Sequence, residues 1–151
     1  MKNIVILYHG DCRDGFSGAW AAWKKFGKTA NYFGLQYGIN NQVKLPQGLK
    51  NKTVYLIDFC LKGGRQMDEL VRANKKVVVL DHHHDAEIFA KMANSYIFDN
   101  NRSGATIAWS YFHPQKPIPV LLKYVEDSDI WRHSLLNTFA ASAYLDLQEF
   151  D

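Results

Sequence analysis

Acidic, imidazole and thiol side chains follow three predicted strands of the sequence and lie near the end of one predicted helix. Such groups act as general acids and bases and as ligands for divalent cations. Carboxylate and imidazole together suit Mn²⁺, Fe²⁺, Co²⁺ or Zn²⁺, whereas a simple turn would favour Gly, Asn or Pro. The groups are His9, Asp11, Cys12 and Asp14 after the first strand, Asp58 after the third, Asp81, His82, His83 and His84 after the fourth, and Asp127 and Asp129 near the helix end.

The number of these groups indicates more than one cation. A single tetrahedral ion would leave ligands unused, whereas two ions sharing a bridging carboxylate would use them. Any one Asp after a strand is equally well explained as a helix cap or a turn residue. Histidine has no particular capping advantage, so the whole set favours a metal centre.

Alternating strand and helix patterns place these groups on a common edge. Apolar runs predict five strands, in "NIVILYH", "TANYFGLQYG", "TVYLID", "KKVVVLD" and "SYIFD". Helical spacing predicts helices in "DGFSGAWAAWKKFG", "GGRQMDELVRAN", "DAEIFAKMAN", "SGATIAWSYFH" and "PVLLKYVEDSDIW". The sequence therefore predicts an α/β single domain with a mostly parallel five-stranded sheet flanked by helices. Ligands of such sheets bind beyond the carboxyl ends of the strands.

An aromatic stripe runs along the first predicted helix. Phe16, Ala19, Trp20, Trp23 and Phe26 recur there at helical spacing. Because amphipathic faces usually pack, we interpret the stripe as part of the core rather than as a platform for stacking nucleobases.

The composition is that of one globular domain. Of the 151 residues, 47% are hydrophobic and 22% charged, and the formal net charge of +3 is too mild to indicate a nucleic-acid track. No apolar run approaches the roughly 20 residues of a membrane span, and no signal peptide is expected. Two cysteines provide no disulfide framework, so we expect a cytoplasmic setting.

Five spaced motifs together resemble those of the DHH phosphoesterases. They are "HGDCRDGFSGAW", "DFC", "DHHH", "RSGATIAW" and "EDSDIW", which fall in that order between residues 4 and 132. The family includes bacterial single-strand exonucleases, oligoribonucleases, cyclic-dinucleotide phosphodiesterases and family II inorganic pyrophosphatases. The resemblance implies one DHH phosphoesterase domain over residues 1–151.

By motif position, the resemblance implies a centre of two divalent ions. His9 would bind the first ion, and Asp14 and Asp127 would bind the second. Asp58 would bridge the two ions, and His82 would be the metal-binding imidazole of the signature. Mn²⁺ is the first expectation, with Zn²⁺, Fe²⁺ or Co²⁺ as alternatives.

Four further residues have implied roles around the ions. Asp81 would either orient His82 through the second ring nitrogen of that histidine or be a marginal ligand, and His83 would face the substrate phosphate. Arg102 would offset charge on that phosphate, and the helix start at Gly104 would let the phosphate approach the backbone.

The first motif departs from the common family pattern. Many members have two Asp residues separated by one residue, and Cys12 stands where the earlier Asp is expected. Either the loop bulges so that Asp11 binds the first ion, or Cys12 occupies that position. A thiolate would shift the preference from Mn²⁺ towards Zn²⁺ or Fe²⁺. The chain resembles a branch whose first motif reads His, two residues, Cys, one residue, Asp-Gly.

The implied activity is metal-dependent hydrolysis of a phosphodiester or phosphomonoester of a nucleotide or short oligonucleotide. Family enzymes usually carry a C-terminal substrate-binding domain, often with a glycine-rich stretch, and the sequence after Trp131 shows none. The alternative is therefore a metal- or nucleotide-binding module without turnover. A homodimer that completes its pocket across subunits would also supply the missing part.

Two other phosphate chemistries fit the sequence poorly. A receiver domain needs a Lys after the fifth strand, where Asn100, Asn101 and Arg102 stand, and it leaves "DHHH" unexplained. A cysteine-based phosphatase needs Cys and Arg separated by five residues, which neither Cys12 nor Cys60 satisfies.

Overall fold

The strands form one all-parallel sheet in the order β2-β1-β3-β4-β5. This computed structural model describes residues 1–148. The strands are β1 (Ile4–His9), β2 (Ala30–Leu35), β3 (Thr53–Ile57), β4 (Lys76–Asp81) and β5 (Ser95–Phe98). The predicted α/β class and five-stranded sheet are confirmed, and every pairing is parallel.

Six helices flank the sheet within the described residues. They are α1 (Arg13–Phe26), α2 (Gly64–Ala73), α3 (Glu87–Ala90), α4 (Gly104–Phe112), α5 (Val120–Asp129) and α6 (Thr138–Asp146). Helix α3 is shorter than predicted and follows a 3₁₀ turn at His84–Ala86. The chain has already returned to the sheet by Asn94, whose side chain accepts a hydrogen bond from Val77 N–H at 2.7 Å. Helix α6 was not predicted.

Alternate residues of the central strands supply two cores, one on each face of the sheet. Val5 and Leu7 of β1 pack with Met67 and Leu70 of α2. Ile6, between them, belongs to the opposite core, which contains residues of α1, α4 and α5. The ligand-bearing ends of β1, β3 and β4 are therefore held by burial on both sides.

The prediction that the aromatic stripe of α1 belongs to the core is confirmed only in part: Ala19 is buried and Phe26 packs against the core, but Trp20 and Trp23 lie outside it. Trp20 is 36% exposed and Trp23 is 49% exposed. The buried face of α1 is made of small residues because the helix lies too close to its neighbours for large ones. A Cβ atom at Gly18 would lie 2.5 Å from Ile57 Cγ2. Trp20 stacks instead at the rim, with its ring centroid 5.5 Å from that of Trp109.

The helices are short relative to a bilayer. Within residues 1–148, none is long and apolar enough to cross a membrane.

Candidate metal centre

Asp58 lies at the middle of the polar cluster, directly after β3. Its backbone has a left-handed conformation, with φ of 53°, and its N–H donates to the Leu80 carbonyl at 2.9 Å. The side chain is only 1% exposed. Such strained backbone in a non-glycine residue is retained where its surroundings enforce it, and it concentrates at functional sites. Gly104 packs directly against Asp58, since a Cβ there would lie 2.5 Å from Asp58 Cβ.

One group of potential ligand atoms lies near Asp58 Oδ2. His9, the last residue of β1, places Nδ1 3.5 Å from this oxygen. The thiol of Cys12, just before α1, donates to the same oxygen with Sγ at 3.6 Å. The three ligand atoms all lie within 4.8 Å of one another. We call His9, Cys12 and Asp58 Oδ2 the thiol half of the centre.

Asp11 is directed away from this group. Its backbone is left-handed, with φ of 51°, and its exposed carboxylate accepts a hydrogen bond from the Gln36 side-chain amide. Of the two alternatives that the sequence left open, the structure therefore brings Cys12, not Asp11, to His9 and Asp58.

A second group meets Asp58 Oδ1. His82 Nε2 lies 3.1 Å from this oxygen, 3.4 Å from Asp129 Oδ2 and 3.7 Å from Asp14 Oδ2. Asp14, His82 and Asp129 offer ligand atoms within 4.8 Å of one another. We call these three residues the carboxylate half; of them, His82 contacts Asp58 Oδ1. The two oxygens of one buried carboxylate thus face two different groups of ligands.

Asp14 also ties the start of α1 to the start of α4. Its carboxylate accepts hydrogen bonds from Gly104 N–H at 2.6 Å and Ala105 N–H at 2.9 Å. A carboxylate at a helix N-terminus is favourable because the first N–H groups have no partner within the helix. These N–H groups at the start of α4 were predicted to receive a substrate phosphate. Because they bind Asp14 instead, that prediction is corrected.

Arg102 is likewise not directed at the centre. Its guanidinium donates to the Thr106 carbonyl and, at 2.8 Å, to Ser110 Oγ. Both acceptors lie on α4, so the side chain folds along the helix that it precedes. The predicted catalytic role of Arg102 is therefore corrected to a contact with α4.

Asp127 was predicted to be a metal ligand, but its carboxylate has other partners in the structure. Its carboxylate accepts hydrogen bonds from Ser134 N–H at 2.9 Å, Ser134 Oγ at 2.8 Å, Leu135 N–H at 3.0 Å and Thr138 Oγ1. Those donors satisfy both oxygens and hold the loop between α5 and α6. Asp129, two residues later, takes its place in the centre. Helical periodicity was the signal that could have separated the two acids, because they lie on different faces of α5.

Asp81 positions a different histidine from the one expected. Its Oδ1 lies 2.8 Å from His83 Nδ1 and accepts from His82 N–H at 2.8 Å. The prediction that Asp81 orients the His82 ring is corrected: it holds the His83 ring. His83 also lies 3.7 Å from Asp58 Oδ1 and is 37% exposed, so it is open to the solvent side of the centre. His84 begins the following 3₁₀ turn.

The electrostatics of the cluster favour added positive charge. Burial raises the pKa of Asp14 well above its usual range, and the charges of Asp58 and Asp129 raise it further. Burial and then Asp58 raise the pKa of Asp129. Burial also acts to raise the pKa of Asp58, but His82 and His9 outweigh it and hold that pKa low. Asp58, followed by Cys12, raises the pKa of His9 to about 10.

Unsatisfied polar atoms also concentrate here. Among the described residues, five buried side-chain nitrogen or oxygen atoms have no hydrogen-bond partner, and three belong to this cluster: His9 Nδ1, Asp81 Oδ2 and Asp129 Oδ2. Such atoms are rare in native structures unless an ion or water satisfies them. The donor set, its charge and these atoms all fit divalent cations.

The chain is similar to two proteins whose chains are longer than its own. No family model matches the chain. It is 34% identical, over 167 aligned positions, to an uncharacterized protein of Acanthamoeba polyphaga mimivirus, covering 97% of this chain and 38% of that protein. An uncharacterized protein from Helicobacter pylori G27 has a crystal structure with a TM-score of 0.66 and 20% identity, which shows a shared fold; the match covers 89% of this chain and 44% of that one. The chain thus spans less than half the length of both.

Proposed function

We propose that the chain is a DHH-type phosphoesterase that uses two divalent cations to hydrolyse a phosphodiester or phosphomonoester of a nucleotide or short oligonucleotide. The observation that carries the proposal is the division of the Asp58 carboxylate, with Oδ2 towards His9 and Cys12 and Oδ1 towards His82. A carboxylate shared between two groups of ligands is the arrangement that a pair of cations requires. The five family motifs supply the rest of the support.

His9, Cys12 and Asp58 would hold one cation, and Asp14, His82, Asp129 and Asp58 would hold the other. Bound cations of this kind lower the pKa of water and offset the charge of a phosphoryl group during hydrolysis. The chain itself contributes rigid placement. Burial on both faces of the sheet fixes the strand ends, and the hydrogen bonds from α4 fix Asp14.

His83 is the chain's own candidate for contact with the substrate. Asp81 holds its Nδ1 at 2.8 Å, which leaves the opposite ring nitrogen available to a phosphate oxygen or to a proton in transit. Because Arg102 is turned onto α4, His83 would be the main side chain to offset phosphate charge. The free cysteines Cys12 and Cys60 support a reducing, cytoplasmic location as part of the same proposal.

The test is Mn²⁺-dependent hydrolysis of bis-p-nitrophenyl phosphate, with p-nitrophenyl phosphate as the monoester. Hydrolysis should require the metal and be lost in Asp58→Ala and His82→Ala. His84→Ala is the matched control, since His84 is exposed and adjacent in sequence to His82 and His83. Hydrolysis that persists in Asp58→Ala would contradict the proposal.

The alternative of a binding module without turnover has one observation in its favour. The chain spans only 38% and 44% of the length of the two relatives described above, so a substrate-binding part would lie elsewhere in proteins of that size. Stoichiometric metal uptake with no hydrolysis of either ester, by any divalent metal, would support the module. Size-exclusion chromatography with light scattering would show whether the chain forms a homodimer, as it must if a second subunit completes the substrate pocket.

A further inference from the structure

The two halves of the metal centre offer different kinds of ligand atom. The thiol half provides sulfur from Cys12, nitrogen from His9 and oxygen from Asp58. The carboxylate half provides only oxygen and imidazole nitrogen. Thiolate ligands select soft and borderline cations, whereas carboxylate-rich sites suit Mn²⁺. The halves should therefore differ in the metals they prefer.

The backbone position of Cys12 favours a ligand role. Cys12 is the N-cap residue of α1, a position where Ser, Thr, Asp or Asn would normally accept a hydrogen bond from the helix. Its side chain makes no such cap bond and lies 3.6 Å from Asp58 Oδ2 instead.

The neighbouring acid cannot take this role in the observed conformation. Asp11 is exposed, and the Gln36 amide holds its carboxylate on the outside of the loop. His9 Nδ1, on the inner side, is a buried atom without a hydrogen-bond partner. The inner side of the loop thus presents a sulfur atom and an unsatisfied nitrogen towards the same Asp58 oxygen.

We infer that Cys12 binds a cation as a thiolate and that the centre is chemically mixed, with Zn²⁺, Fe²⁺ or Co²⁺ in the thiol half and Mn²⁺ in the carboxylate half. The inference rests on the metal centre of the proposed function. Binding replaces the S–H bond of Cys12 by a sulfur–metal bond, releases the proton to solvent and transfers no electrons.

The first test is titration of the metal-free protein with Co²⁺ under anaerobic conditions, followed by absorption spectroscopy. A thiolate-to-cobalt charge-transfer band should grow in the near ultraviolet and saturate at one equivalent. Cys12→Ser should lose the band, whereas Cys60→Ala should keep it, because the Cys60 thiol is buried outside the centre. Cobalt bound without the band, no cobalt bound at all, or a band that persists in Cys12→Ser would each overturn the inference.

The second test measures metal selection. Metal-free protein is exposed to equal concentrations of Zn²⁺ and Mn²⁺, desalted and analysed for both elements. The wild type should retain both Zn²⁺ and Mn²⁺. Cys12→Asp replaces the sulfur ligand by oxygen, so its ratio of bound Mn²⁺ to bound Zn²⁺ should be at least about tenfold higher than that of the wild type. An unchanged ratio in a folded Cys12→Asp variant would contradict the mixed centre.

A third readout needs no variant and covers the case in which substitutions at position 12 fail to fold. X-ray absorption at the zinc edge of the wild type should show one sulfur neighbour at about 2.3 Å; only nitrogen and oxygen neighbours would refute the inference. The two proposals fail separately. A cobalt band without phosphoester hydrolysis would support Cys12 as a ligand and reject the proposed activity. Hydrolysis without a band would support the activity and reject Cys12 as a ligand.

Discussion

Asp127 and Asp129 lie two residues apart at the end of α5, and their carboxylates have different partners. Asp127 accepts four hydrogen bonds from residues 134–138. Asp129 Oδ2 lies 3.4 Å from His82 Nε2. Successive helical residues are rotated by about 100°, so residues two apart point in nearly opposite directions. One acid holds the loop to α6, and the other faces the metal centre.

Replacing Asp129 should therefore affect metal binding far more than folding. Asp129→Ala should lower Mn²⁺ affinity at least about tenfold, because it removes a ligand. Its thermal stability without metal should equal or exceed that of the wild type, since the substitution removes a partly buried carboxylate that repels Asp58. Isothermal titration and calorimetric unfolding measure the two effects, and a large fall in Tm would count against this assignment.

Asp127→Ala should show the reverse pattern. Loss of four hydrogen bonds to a carboxylate should lower Tm by about 5 °C or more. The folded variant should keep the metal stoichiometry of the wild type. A variant that unfolds normally but no longer takes up metal would restore Asp127 as a ligand.

The contribution of Asp127 should also depend on pH. Burial acts to raise its pKa, but the Thr138 hydroxyl and the N–H groups of Leu135 and Ser134 hold it well below its ordinary value. A carboxyl with a lowered pKa stabilises the fold above its unfolded pKa, about 3.9, and loses this effect as the pH falls towards the folded pKa. The Tm difference between wild type and Asp127→Ala should shrink below about pH 4. A constant difference from pH 7 to pH 3 would argue against this source of stability.

Gly104 should be intolerant of any side chain. A Cβ there would lie 2.5 Å from Asp58 Cβ and 3.0 Å from Asp14 Oδ2. Gly104→Ala should cost about 1–3 kcal/mol of unfolding free energy and weaken metal binding, because it displaces two ligands. Gly64→Ala is the matched control: nothing lies within 4 Å of its Cβ position, and alanine should stabilise α2 by up to about 1 kcal/mol. Chemical denaturation compares the two variants, and equal effects would contradict the packing argument.

The two cysteines should differ in reactivity. Burial raises the pKa of the Cys60 thiol to about 12, whereas Cys12 is half-buried at the edge of the centre. A chromogenic aromatic disulfide should react with one thiol in the native protein near pH 8 and with two after denaturation. Saturating Zn²⁺ should protect the reactive thiol. Two fast-reacting thiols in the native state would be inconsistent with the burial of Cys60.

His83 should affect turnover rather than metal uptake. His83→Ala should lower kcat by about 10²-fold, the range for a proton-transfer or charge-stabilising side chain, with metal content unchanged. His84→Ala is the control, because His84 is exposed and only begins a 3₁₀ turn. Steady-state kinetics and elemental analysis separate the effects; equal activity of the two variants would remove His83 from the proposed mechanism.

The fold was predictable because its three central strands, β1, β3 and β4, are largely buried on both faces and therefore appear as apolar runs. The ends of those runs also located His9, Asp58 and His82, since parallel strands end at one edge of the sheet. The choice between Asp11 and Cys12 was not predictable, because it depends on a left-handed residue that turns one side chain outwards.

The remaining differences arise from side-chain and packing contacts that the sequence pattern does not show. Helical periodicity places Asp127 and Asp129 on different faces of α5, but their hydrogen-bond partners in the loop of residues 134–138 show which acid faces away from the centre. Trp20 and Trp23 were misassigned because the pattern shows an apolar face but not the narrow space beside Gly18. Arg102 turns back onto α4, a local choice that the charge pattern does not encode.

The hydrogen bonds from Gly104 and Ala105 to Asp14 join groups 90 and 91 residues apart along the chain. Closing so large a loop is entropically costly, so we expect this contact to form late in the folding reaction. A cation that needs Asp14 in place would then meet its pocket only after the rate-limiting barrier. Metal loading should accordingly lengthen the lifetime of the native protein by slowing unfolding, while leaving the refolding rate nearly unchanged.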